Sequence, residues 1–154
     1  MKDWTRQEAI TLSGLTRNQF EHLENKGLIT PIKLGNPNRP TVIYSNTQLL
    51  AIRAYAKLRK EGLTMQALDK MPDNFLSPDK VSITKLVIAW EKKIEWIEDT
   101  PQSFYSSVFQ NKNGKGKLLT TFSVKQLVDE MRSDFEKLGD DTIIDFNERL
   151  LEVA

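Results

Sequence analysis

Thr5-Arg-Gln-Glu8-Ala-Ile-Thr-Leu-Ser-Gly14-Leu-Thr16-Arg17-Asn18-Gln19-Phe20-Glu-His22-Leu23-Glu-Asn-Lys26-Gly27 is the stretch on which the fold turns. Thr5 is a good helix N-cap. Glu8, three residues on, completes a capping box, in which each side chain satisfies a backbone N–H that the first helical turn leaves over. Ala9, Ile10 and Leu12 give this helix an apolar side. Gly14 breaks it, as a tight helix–helix turn requires. Thr16 caps a second helix, Arg17 to Lys26, with Phe20 and Leu23 turned inward, and Gly27 ends it. Two short helices joined by about four residues make the helix-turn-helix pattern.

Downstream, Leu28-Ile29 and Val42-Ile43-Tyr44 favour strands. Between them Pro31, Gly35, Asn36, Pro37, Asn38, Arg39 and Pro40 form a loop, so strand, cationic loop and strand read as a β-wing. Ser45 or Asn46 caps a third helix to about Glu61, with Leu49, Ile52, Tyr55, Ala56 and Leu58 on one face. Gly62 closes it, Thr64 caps a short helix over Met65 to Lys70, and residues 72–79 read as a linker.

The second half is read from periodicity. A helix is expected from Asp79 or Ser82 to Glu98, with Ile83, Leu86, Val87, Trp90, Ile94 and Ile97 on one stripe. Such a stripe needs a partner. Ile83, Val87, Trp90, Ile94 and Ile97 are therefore expected to form a dimer seam, the competing reading being that they pack on the chain's own C-terminal part. Phe104 to Phe109 and Leu118 to Phe122 flank Asn111–Lys117 and suggest a β-hairpin, although Thr100-Pro101 equally suits a helix start. Ser123 caps a helix to about Leu138, and a last helix runs from Thr142 to Glu152. The expected fold is mainly α with small β elements (α+β). Residues 1–72 form a winged helix-turn-helix, 73–100 a linker and dimerisation helix, and 101–154 a C-terminal dimerisation or effector-like module.

Composition narrows the function. The 154 residues include no cysteine, which removes disulfides, thiolate metal sites and cysteine nucleophiles and suits a reducing cytoplasm. No apolar run reaches the roughly 18–20 residues of a membrane span, and Met1-Lys2-Asp3-Trp4 lacks an apolar signal region. A cytoplasmic location is expected. The net charge of +1 hides an asymmetry: residues 1–70 hold eleven Lys and Arg against six Asp and Glu, and residues 71–154 hold eleven against fifteen. A basic head on an acidic body suggests that the head faces a polyanion.

The run Tyr44-Ser45, Leu49, Ile52-Arg53, Leu58-Arg59, Gly62, Thr64 and Leu68 resembles the second half of the MerR-family DNA-binding domain. Upstream, Gly14-Leu15-Thr16 and Leu23-Glu24-Asn25-Lys26-Gly27-Leu28-Ile29 match that family's recognition helix and its exit. The resemblance covers roughly residues 4–70 and implies promoter binding by a dimer. The sequence departs from the family in carrying Glu21-His22 where an arginine–tyrosine pair is usual, and Pro40-Thr41-Val42 where Gly-Tyr-Arg is usual. The operator sequence is therefore not transferable, and phosphate contacts shift toward Lys33 and Arg39. In size and lack of cysteine the chain is also similar to the small MerR-type repressors associated with type V-K CRISPR-associated transposons.

The expected DNA-contacting residues follow. Thr16, Arg17, Asn18 and Gln19 occupy the start of the second helix, which in this motif points into the major groove. Arginine pairs bidentately with guanine, and asparagine or glutamine with adenine. His22 lies one turn on from Asn18, with a plain surface role as its competitor. Lys33, Asn38 and Arg39 suit phosphate contact or, for Arg39, minor-groove insertion. Tyr44 either packs under the wing or donates to a phosphate, and Lys57 extends the phosphate footprint or is simply solvated. One histidine and no cysteine assemble neither a nucleophile–base pair nor a metal site, so no catalysis, cofactor or metal is expected. The expected function is a dimeric repressor binding an inverted repeat at a promoter. The alternatives are an excisionase-like DNA-bending factor and a protein-interaction adaptor. Whether the body takes a small effector is open.

Overall fold

Three capping boxes start the three helices described in the N-terminal half. In the computed structural model, which describes residues 4–63, 81–109, 114 and 116–136, the Thr5 hydroxyl accepts from the Glu8 N–H at 3.2 Å and the Glu8 carboxylate accepts from the Thr5 N–H at 3.0 Å. These bonds open α1 (Arg6–Ser13). Thr16 with Gln19 opens α2 (Arg17–Asn25), and Ser45 with Gln48 opens α3 (Asn46–Lys60). Gly14 ends α1 at φ +82°, in the left-handed region that a Cβ disfavours. The ends of α2 and α3 share one device: the Leu28 N–H donates to the Leu23 carbonyl at 3.0 Å, and the Leu63 N–H donates to the Leu58 carbonyl at 3.1 Å.

The wing is present. Strands β2 (Ile32–Leu34) and β3 (Thr41–Tyr44) are antiparallel, with Lys33 opposite Val42, and β1 (Trp4–Thr5) pairs with the other edge of β3. Trp4 is fully buried, and its indole N–H donates to Asn46 Oδ1 at 2.6 Å. That bond fixes β1 to the start of α3.

The C-terminal half corrects two expectations. Residues 85–98 are not a helix but a hairpin of β4 (Lys85–Trp90) and β5 (Ile94–Glu98). Helix α4 (Pro101–Phe109) follows, then β6 (Leu118–Ser123) and α5 (Val124–Glu136), and the sheet order is β5-β4-β6. Strand β4 is central and covered on both faces, so Val87, Ile88, Ala89 and Trp90 are all buried. A doubly buried strand has no polar alternation, and its apolar run also fits a helical stripe. On the hairpin the supposed stripe dissolves. Val87 and Trp90 sit three apart on a strand and point to opposite faces, as do Ile94 and Ile97, while Ile83 lies in the turn before β4. Val87, Trp90 and Ile94 serve the core of their own chain. The expected 104–109 hairpin arm is instead α4, because Thr100 caps it (Ser103 N–H to Thr100 Oγ1, 3.1 Å) and Pro101 fits its first turn. Strand β6 pairs with β4, and a register shift beside Ala89 and Trp90 leaves Leu119 as the extra residue of a bulge. The expected helix over 65–70, the 72–79 linker and the 142–152 helix lie outside the described residues.

Helix α5 buries Val124, Leu127, Val128, Met131 and Phe135 against the sheet and against α1 and α3. Phe135 meets the edge of Trp4 at 6.0 Å between ring centroids. One buried cluster therefore runs from Trp4 in the head through α3 to Phe135, across the expected domain boundaries. Helix α4 lies on β5, where Trp90 Nε1 and Ser107 Oγ both donate to Glu95 Oε2, at 3.2 and 2.6 Å.

Candidate nucleic-acid interface

Helix α2 presents Arg17 and Asn18 to solvent in its first turn, while Phe20 and Leu23 anchor its opposite side in the core. Thr16 is exposed and acts as the cap. Gln19 is half-buried, and its carbonyl oxygen accepts from the Thr16 N–H at 2.9 Å, so this side chain is committed to holding the helix start. Arg17 Nη2 donates to Gln7 Oε1 on α1 at 3.1 Å. That bond bridges the two helices of the motif at its outer rim. His22 is half-buried one turn further on.

A network absent from the sequence reading sets the orientation of α2. Glu24 receives Arg6 of α1 through Nη2 at 2.7 Å and Nε at 3.1 Å, and it receives the Tyr44 hydroxyl of β3 at 2.7 Å. Arg6 also lies over the Phe20 ring at 5.9 Å, and Phe20 meets Tyr44 edge-on at 5.4 Å. One carboxylate thus joins the first helix, the second helix and the wing. Burial alone raises the Glu24 pKa, but the Arg6 and Tyr44 hydrogen bonds reverse this and hold it below the usual carboxylate value. Burial, followed by the bond to Glu24, pushes the Tyr44 phenol well above its usual value. The bond to Glu24 raises the Arg6 guanidinium. Tyr44 is fully buried, so of its two expected roles the structure displays packing.

Lys33, Asn36, Asn38 and Arg39 are exposed on the wing. The tip is tightened by Asn36, whose side-chain oxygen accepts from the Asn38 N–H at 2.9 Å and whose carbonyl accepts from the Arg39 N–H at 3.1 Å. Gln48 Nε2 donates to the Thr30 carbonyl at 2.7 Å and ties α3 to the chain entering the wing.

Residues 5–74 match the family described as MerR HTH family regulatory protein. This segment belongs to the MerR family. The match supports a DNA-binding transcription regulator, and α2 lies within the matched segment. A comparison with curated proteins gave no match.

Not every cation of the MerR segment is available to DNA. Lys57, on α3, faces the C-terminal module: its Nζ lies 2.7 Å from Glu130 Oε1 and 5.6 Å from the centre of the Phe122 ring. Arg53 is nearly buried, donating from Nη1 to the Leu12 carbonyl at 3.0 Å and pairing through Nη2 with Asp134 at 2.7 Å. These two pairs line a polar cleft of about 270 Å³ between α3 and α5 that also includes Ser13 and Lys60. Among the described residues no group of three His, Cys, Asp or Glu is placed to hold a metal ion, and no helix is long and apolar enough to cross a membrane.

Proposed function

We propose that the chain is a dimeric, sequence-specific repressor that binds an inverted repeat overlapping a promoter. One observation carries this reading: α2 is capped at its start, clamped from behind through Glu24, and offers Arg17 and Asn18 outward. A helix held this way meets the major groove with Arg17 and Asn18 at the base edges, Thr16, Gln19 and His22 alongside, and Lys33, Asn38 and Arg39 of the wing on the flanking backbone. Tyr44 and Lys57, engaged with Glu24 and Glu130, act by positioning α2 and α3. Repression by occupancy is supported by the continuous core and the Arg53–Asp134 and Lys57–Glu130 pairs, which hold head and body together rather than leaving them to move against each other. A place beside the repressors of type V-K CRISPR-associated transposons is the narrower form of the proposal, resting on size and absence of cysteine.

The test is footprinting of the purified protein on the DNA flanking its own gene at two salt concentrations. A protected inverted repeat over a promoter is expected. Uniform, salt-labile coverage marks an architectural DNA binder instead, and no protection at either salt marks a protein-interaction adaptor.

A further inference from the structure

Helix α4 is unlike the rest of this surface. Its nine residues, Pro101-Gln-Ser-Phe-Tyr-Ser-Ser-Val-Phe109, include no charged side chain, in a chain that is 28% charged. Tyr105 and Phe109 project from it with 59% and 71% of their surface exposed, and they stack on each other at 6.3 Å and 22°. Phe104 meets the edge of Tyr105 at 6.4 Å. Beside this ridge runs an open groove of about 370 Å³, lined by Glu95 and Ile97 of β5 and by Gln102, Ser103, Ser106 and Ser107 of α4. Three serines leave that wall low. Ridge and groove are thus neighbours on one helix.

We propose that this surface is where a second copy of the chain docks, with the Tyr105–Phe109 ridge of each copy seated in the other's groove. The inference rests on the dimeric reading given above. A two-fold interface sets one patch against itself, so any net charge on the patch meets its own like. The uncharged α4 meets that condition, the groove's Glu95 carboxylate is partnered within its own chain by Trp90, Ser107 and Lys93, and the exposed aromatic rings are the side chains enriched at such contacts. The area is of the right order. Two aromatic side chains of roughly 150–250 Å² each, at the exposures observed, leave about 400–700 Å² on four rings. That is about a third to a half of the roughly 1,200–1,600 Å² of a specific interface, and the groove walls supply the remainder. Val87, Trp90 and Ile94, the residues expected at a seam, are buried within one chain and are not open to a second copy.

The experiment is sedimentation velocity on the full chain, as wild type and as the double variant Tyr105→Ser, Phe109→Ser, with oxidative cross-linking of Ser106→Cys. The chain contains no cysteine, so an introduced thiol reports only its own position. Asn25→Cys, exposed at the end of α2, is the comparison. The wild type is expected to sediment as a dimer. The double variant is expected to show a dimer dissociation constant raised at least about 100-fold, the loss of two aromatic hot spots, with unchanged circular dichroism. Ser106→Cys is expected to form a linked dimer while Asn25→Cys does not. If the double variant fails to fold, the cross-link decides alone. A wild-type dimer with no Ser106→Cys link, and a double variant that stays dimeric, overturns the α4 surface and leaves the dimeric reading standing. A wild type that stays monomeric at the highest concentration overturns both.

Discussion

Replacing Glu24 by glutamine keeps the shape of the side chain and removes the charge on which three elements converge. The Tyr44 hydroxyl is fully buried and donates to Glu24 at 2.7 Å, so the change leaves a buried donor facing an amide that accepts at only one of its two ends. Losing a charged acceptor there costs about 1–3 kcal/mol. The Arg6 contribution is smaller, because its side chain keeps 31% of its surface in water and is re-solvated when the pair breaks. For such a pair the loss is about 0.5 kcal/mol. Glu24→Gln is therefore expected to destabilise the fold by about 2 kcal/mol and Tyr44→Phe by about 1 kcal/mol. The double variant should fall short of their sum by about 1 kcal/mol, because both remove one shared bond. Urea unfolding followed by tryptophan fluorescence measures all three. The pH dependence supplies an independent check. The folded carboxyl titrates below its usual value, so its stabilisation is full above about pH 4.3 and is lost as pH falls through the folded value. The gap between wild type and Glu24→Gln should narrow only in acid. Tyr44 runs the other way: its phenol titrates above its usual value, so its stabilisation holds below about pH 10 and is lost as pH rises further. Single changes that add to within about 0.3–0.5 kcal/mol, or a gap that is constant with pH, would refute the shared network.

Three further outcomes are expected. Arg17→Ala should cost about 1–3 kcal/mol of specific binding and relax preference at one base pair, whereas Lys33→Ala or Arg39→Ala should weaken all sequences evenly and lower the salt slope by about one; competition titrations on specific and scrambled duplexes separate the two. Lys57→Ala should leave the salt slope of DNA binding unchanged, because its ammonium already lies against Glu130 and the Phe122 ring; a slope lowered by about one would return Lys57 to the phosphate footprint. Arg53→Met should cost about 2–3 kcal/mol by stripping the Leu12 carbonyl of a charged donor, while Asp134→Ala should cost under about 1 kcal/mol, its side chain being 40% exposed. Equal losses in denaturant melts of the two would contradict the difference in burial.

The head was readable because its signals are local. Thr5, Thr16 and Ser45 cap helices through bonds to residues three positions on, and Gly14, Gly27 and Gly62 adopt positive φ where the helices stop. The pairings that orient those helices were invisible because they join distant positions: Trp4 to Asn46, Arg6 and Tyr44 to Glu24, and Lys57 to Glu130. No short-range pattern encodes them. The second half misled for a related reason. The β4–β5 turn is Glu91-Lys92-Lys93, with no glycine, asparagine or proline to punctuate it, so two strands read as one helix. Ile88 held the useful hint, since it is buried but falls off the helical stripe. At Thr100-Pro101 two readings stood level, and the helix start prevailed through the Thr100 cap.

Trp4 and Phe135 touch although they stand near opposite ends of the described chain. Helix packing of this kind makes the DNA-reading segment a poor portable cassette. Cut free of α5, it would expose the Trp4 edge that Phe135 covers, strip the carboxylate partners Asp134 and Glu130 from Arg53 and Lys57, and open the apolar seam between α1, α3 and α5. A chimera joining this head to a foreign body would have to carry α5 with it. Drift in α5 would in turn be felt by the helices that carry the recognition surface.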